Sequence, residues 1–215
     1  MELTKNLFVA LVVVLLSTTS ATTATNSSST STSMSQTEIM VTLLIAPRVI
    51  NVTAQMKTFY PFITSSDYLY EPPITLGLDL NKDCIGQQLQ ANDKLGALFS
   101  QMAVFIRPLN FAFMYEHDQG PSHSRLVYVL EMTSFYLNDT VSYIRRKIKG
   151  KGWSLPDYPT ISEAKLDELT RVYLNALVRR NLVTLTITND VVKRFRNYVI
   201  IYTLYDVIKE IGPCF

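Results

Sequence analysis

Apolar residues recur along most of this chain at three- and four-residue steps, and the stretches without that rhythm are few but long. Val41, Ile45, Val49, Val52, Met56 and Phe59 step by 4, 4, 3, 4 and 3 and predict a first helix. Pro47 lies inside it as a kink or interruption, since proline lacks the donor for its turn. Leu95, Leu98, Phe99, Met102, Phe105, Ile106, Leu109 and Phe113 define a second helix with Pro108 as a second kink. Leu126, Leu130, Thr133, Leu137, Val141, Ile144 and Ile148 define a third, stopped by Gly150 and Gly152. In the last stretch Asn189 or Asp190 is the expected N-cap. Val191, Phe195, Tyr198, Val199, Tyr202 and Tyr205 follow at helical spacing until Gly212 and Pro213 end the pattern. Ile201, Leu204, Ile208 and Ile211 widen this last apolar face until no single partner covers it, so the chain closes inside a bundle.

The connections run long, short, long. The first carries Pro61, Pro72 and Pro73, then alternates Ile74, Leu76, Leu78 and Leu80 with Thr75, Gly77 and Asp79 like a short strand. The second is the polar stretch around His117 and His123. In the third, Pro156 and Pro159 precede Ser162, and Leu166, Leu169, Tyr173, Ala176 and Leu177 predict a short amphipathic helix. Val183, Leu185 and Ile187 then alternate with threonines, and pairing the two alternating tracts as a small ribbon satisfies both backbones. A short link makes antiparallel neighbours, whereas a link long enough to run the length of a helix makes parallel ones. The expected fold is therefore an all-α, up-up-down-down four-helix bundle with two crossovers.

Lys5, the apolar run Leu7–Leu16 and the small residues Thr19, Ser20 and Ala21 follow the order of a secretory signal. The expected division is a signal peptide over 1–21, a Ser/Thr-rich disordered leader over 22–37 and a helical domain over 38–215. No later segment reads as long and uncharged enough to span a membrane, so a secreted, extracellular protein without membrane insertion is expected. The sequons at Asn26, Asn51 and Asn138 agree with that compartment. Asn51 and Asn138 fall about 100° or more from their apolar stripes, leaving room for a glycan. An oxidising compartment favours a disulfide between the two cysteines, Cys84 and Cys214, over two unrelated buried thiols. The predicted topology brings both to one end of the bundle.

Net charge is +2 but unevenly spread: residues 1–140 carry −4 and residues 141–215 carry +6. Arg145, Arg146, Lys147, Lys149 and Lys151 dominate the excess. They read either as a heparan sulfate patch or as cations offsetting a helix dipole. No nucleic-acid partner is expected. Catalytic signatures are missing, and there is no phosphate-cradling glycine loop. His117 and His123, six apart in a polar loop without cysteines nearby, make a poor metal pair, so no metal and no cofactor are expected. Trp153, beside Gly150-Lys151-Gly152, is either a receptor-binding hot spot or a lid on the bundle end.

The segment PFITSSDYLYEPPITLG, Pro61 to Gly77, resembles the Pro-Phe, Asp-aromatic, Pro-Pro crossover of the interleukin-6 type cytokines. QLQANDKLGALF (Gln88 to Phe99) is similar to the start of the second helix in their cardiotrophin-like branch, and NDVVKRF resembles the opening of their last helix. Ciliary neurotrophic factor and leukaemia inhibitory factor belong to the same branch. The resemblance covers about a third of the chain, in pieces. It implies the helical cytokine fold and a secreted ligand that dimerises class I receptor chains, glycoprotein 130-like and leukaemia inhibitory factor receptor-like, with no enzymatic turnover. By the same analogy Phe62, Tyr68, Val191 and Arg194 are the receptor-binding residues. Two departures stand out: Val191 and Arg194 occupy the positions of the family's Phe and Lys, and a Trp-rich stretch is absent from Leu204 to Ile211. Two other readings of the sequence are a bundle that carries an apolar small molecule and a receptor-binding decoy that does not signal.

Overall fold

A computed structural model of the chain describes Thr37, residues 40–78 and residues 91–211. The signal segment, Asn26, Cys84 and Cys214, and with them the expected disulfide, lie outside the described residues. A π-helical turn, Met40–Ile45, leads into α1 (Ala46–Phe59). A 3-10 turn, Pro61–Ser65, and the single turn α2 (Asp67–Tyr70) occupy the first crossover. There follow α3 (Ala91–Ala103), α4 (Ile106–Asp118), α5 (Ser124–Gly150), α6 (Glu163–Arg179) and α7 (Asn189–Ile211). The described residues thus form an all-helical bundle in which α5 packs against α1, α3 and α4, and α7 packs against α1, α4 and α6.

α7 is the core helix that its breadth of apolar residues predicts. Residues 195–201 are buried without interruption, so partners cover its whole circumference. Phe195, Val199, Ile200, Ile201 and Leu204 are each fully buried, and each stabilises the fold by roughly 1.5–3 kcal/mol relative to an exposed side chain. Val49, Val52 and Met56 of α1 and Leu130, Leu137 and Ile144 of α5 close the core from the other side.

Both prolines act where their chemistry requires. Pro108 cannot donate to the carbonyl of Val104. The helix breaks at Val104 and Phe105, with Phe105 N–H donating instead to Met102 O at 3.2 Å, and so α3 and α4 are two pieces. Pro47 stands at the start of α1, where the π turn gives way to α-helix and a missing donor costs least. By length and composition Asp93–Asp118 is apolar enough to cross a membrane, contrary to the expectation that no later segment is. The break inside it and the burial of 56% of its apolar window within the bundle are those of a core helix.

The helix ends add detail that periodicity alone misses. α5 runs through Gly150 and stops at Gly152, whose φ of 73° allows a Schellman motif: Gly152 N–H donates to Lys149 O at 2.9 Å and Trp153 N–H to Ile148 O at 3.2 Å. α6 ends the same way on Asn181 (φ 56°), with Asn181 N–H on Val178 O and Leu182 N–H on Leu177 O, both at 3.0 Å. Its start is the expected one, Ser162 Oγ accepting from Lys165 N–H at 3.3 Å, but at 17 residues it is a full helix. The cap of α7 is neither Asn189 nor Asp190. Thr188 Oγ1 accepts from Val191 N–H at 3.2 Å, and Thr188 O accepts from Val192 N–H at 3.1 Å.

No strand forms among the described residues, which corrects the predicted ribbon. In the first tract Leu76 (φ 56°) and Gly77 (φ 74°) turn the chain, closed by Leu78 N–H on Thr75 O at 3.0 Å, and two left-handed residues end any extended run. Residues 183–188 do keep an alternating burial pattern, Val183, Leu185 and Ile187 inward and the threonines outward, but as extended chain without a ladder. Alternation reports a half-buried extended segment and says nothing about a partner strand.

Candidate functional site

At one end of the bundle the ends of α1 and α4 meet the starts of α5 and α7. Glu116, in the last turn of α4, is fully buried. One of its oxygens accepts a short hydrogen bond from Tyr60 Oη, the residue that caps α1, and lies 2.8 Å from His123 Nδ1 just before α5. The other accepts from Asn197 Nδ2 at 3.2 Å. Asn197 Oδ1 in turn accepts from Arg196 Nε at 3.1 Å and Nη2 at 2.9 Å, and Arg196 Nη1 reaches Glu163 Oε1 at 2.7 Å and Asp167 Oδ1 at 2.9 Å on α6. Arg196 and Asn197 are also fully buried. A buried charge is tolerated when it is paired and its remaining bonding capacity is filled, and this network does both.

Its chemistry is that of a clasp. Burial, helped by the adjacent Glu116 carboxylate, pushes the Tyr60 phenol above its ordinary range, so it remains a donor. The Glu116 carboxylate spends its acceptors on three protein groups and has no exposed surface. The group therefore ties the ends of α1 and α4 and the starts of α5 and α6 to the body of α7.

Above the clasp lies a second, shallower set. Tyr115 Oη donates a short hydrogen bond to Asp190 Oδ1, and Arg194 Nε donates to Asp190 Oδ2 at 2.7 Å and to Tyr115 Oη at 3.2 Å. The Arg194 guanidinium also lies 5.0 Å from the Tyr60 ring centre. Burial, with the bond to Asp190, raises the Tyr115 phenol to about 12. The crossover is fastened by its main chain. Tyr173 Oη donates to Tyr68 O at 2.9 Å and Tyr198 Oη to Tyr70 O at 2.5 Å, and Tyr68 and Tyr70 are 44% and 41% exposed. Lys57 Nζ sits 3.2 Å from the Tyr70 ring centre.

Four of the residues singled out by resemblance share this end. Tyr68 is exposed, Arg194 is partly exposed in its clamp, Phe62 is half-buried with its ring 6.3 Å from that of Tyr60, and Val191 is half-buried against the core. Trp153 is not with them. It follows the far end of α5, 27 residues long, which is about 40 Å at 1.5 Å per residue. There it packs over Ile148 beside Gly96 and Pro156, in an open cleft of about 420 Å³. Asn51 and Asn138 are exposed on α1 and α5. His117 is exposed, and no metal-binding group of His, Cys, Asp and Glu occurs among the described residues.

Glu116, Arg196 and Asn197 escaped the sequence reading. A signal was there: Arg196 and Asn197 interrupt a helix whose apolar residues point in every direction, so they had no solvent face to occupy. No family model, no curated protein and no solved structure matches the chain.

Proposed function

We propose that this protein is a secreted helical cytokine that bridges two class I receptor chains and acts by binding, without turnover. The supporting observation is the meeting of helix ends. Tyr60 and Glu116 stand at the ends of α1 and α4 and bond with His123 at the start of α5, while Tyr115 of α4 bonds Asp190 at the start of α7. Two helices arriving and two leaving at the same end support an up-up-down-down order. The first crossover is then fastened to α7 through Tyr70 O, with Tyr68 and Tyr70 presenting aromatic surface, Lys57 a charge on the Tyr70 ring, and Arg194 a second charge clamped by Asp190 and Tyr115. Rings and a clamped guanidinium lose little freedom on binding, which is what a receptor hot spot requires. One receptor chain takes this surface around Phe62, Tyr68, Val191 and Arg194, and the other takes exposed parts of α1 and α5; glycoprotein 130-like and leukaemia inhibitory factor receptor-like chains are the candidates.

The test is binding of the purified mature protein to a panel of class I receptor ectodomains, with Arg194→Glu alongside. Specific binding weakened by the variant supports the reading and locates the contact. Binding without kinase activation in cells bearing the receptors makes the protein a receptor-blocking ligand. No binding across the panel, from protein shown to be folded, overturns the proposal.

A further inference from the structure

The geometry points to a second binding surface at the other end of α5, a cationic belt that holds a sulfated polysaccharide. Arg145, Arg146, Lys147, Lys149 and Lys151 are all exposed, and no acidic residue occurs between Val141 and Pro156. Ile144 and Ile148 of the same turns are buried. At about 100° per residue the four helical cations therefore spread over roughly 200° of the outward circumference. None of the five forms an ion pair with a described residue. Three lie instead near aromatic rings: Arg145 is 5.6 Å from the centre of Phe99, Lys147 is 5.4 Å from Tyr143, and Lys151 is 5.0 Å from Trp153. Tyr143, Arg146, Lys147, Gly150 and Lys151 also line an open cleft of about 340 Å³.

The helix dipole accounts for part of this and no more. Its C-terminal pole is equivalent to about half a charge and acts within the last turn. Lys147 and Lys149 lie in that turn, Arg145 and Arg146 precede it, and Lys151 follows it. Five cations with no acidic partner among the described residues, around half a turn of circumference, suit a polyanion that can curve with them. A single phosphate meets only one or two, and a flat anionic bilayer touches only one side of such an arc. Choosing a polysaccharide over a nucleic acid rests on the secretory reading of Lys5 and Leu7–Leu16. Because the belt and Glu116 stand at opposite ends of α5, a tethered molecule keeps its clasped end accessible.

The experiment compares two folded triple variants on immobilised heparin at near-physiological salt. One is Arg146→Glu, Lys147→Glu, Lys149→Glu in the belt. The other is Arg107→Glu, Arg179→Glu, Arg180→Glu, exposed residues outside it, with the same change in net charge. The belt variant is expected to lose about tenfold or more in affinity and the other to stay near wild type, with binding falling steeply as salt screens the contacts. Desulfated heparin is expected to bind neither. Equal losses in both variants, or full binding by the belt variant, overturn the inference. Stronger binding to phosphatidylserine vesicles or to single-stranded DNA than to heparin does so too. Should the belt variant unfold by circular dichroism, Arg146→Ala with Lys149→Ala replaces it under the same criteria. The assay contains no receptor, so its outcome is independent of the receptor proposal.

Discussion

Glu116→Ala is the sharpest test of the clasp. The substitution removes the acceptor of three hydrogen bonds at once, from Tyr60 Oη, His123 Nδ1 and Asn197 Nδ2. Tyr60 and Asn197 are 1% and 0% exposed, so water does not replace the lost partner, whereas His123 keeps some access. A buried donor left unsatisfied costs about 1–3 kcal/mol, which gives roughly 2–6 kcal/mol for the pair. Relief of the desolvation carried by a buried carboxylate offsets part of this. The expected net loss is about 2–4 kcal/mol, a large share of the 5–15 kcal/mol typical of a whole domain. Glu116→Gln keeps one acceptor and the shape, so it is expected to fall between wild type and the alanine variant. Equilibrium urea unfolding of the purified protein measures both, read as a shift in midpoint at constant slope. An alanine variant within about 0.5 kcal/mol of wild type would falsify the view that this network ties the helix ends.

Arg194→Ala removes a partly exposed ion pair with Asp190 and is expected to cost at most about 1 kcal/mol in stability. Its effect on receptor binding is expected to be the larger one, and a surface plasmon resonance titration beside a urea melt separates the two. Burial and hydrogen bonding raise the phenol of Tyr115, and burial first that of Tyr173, each to about 12. The folded state thus prefers protonated phenols. Their contribution is complete below pH 10 and is lost as pH rises from about 10 to 12, and urea melts across that range should show a falling midpoint. Gly152→Ala places a side chain at φ 73° and is expected to destabilise by about 1–2 kcal/mol. Gly150→Ala lies within α5 with open space around its Cβ and is expected to stabilise by about 0.5–1 kcal/mol; thermal melts of the pair distinguish them.

Periodicity and punctuation were enough to locate the main helices, because both act on a residue's immediate neighbours. Val49, Val52 and Met56, or Ile144 and Ile148, sit inward because a 3.6-residue repeat leaves them one face. Pro108 breaks its helix through an atom it lacks, and Ser162 starts one through an oxygen it has. These effects need no distant partner, so the chain order alone determined them.

What only the tertiary structure decided involves groups far apart in sequence. Two alternating tracts predict a ribbon, but pairing needs a partner at hydrogen-bonding distance, and a turn at Leu76 and Gly77 removes one candidate. Phe62, Tyr68, Val191 and Arg194 came together, and Trp153 did not, because the length of α5 separates two surfaces that composition cannot tell apart. The clasp was the least visible feature. Glu116 reads as one polar residue near a loop, and only folding sets it against Tyr60 and Asn197, 56 and 81 residues away. Burial of a charge is decided by which helices close over it, and no local pattern carries that information.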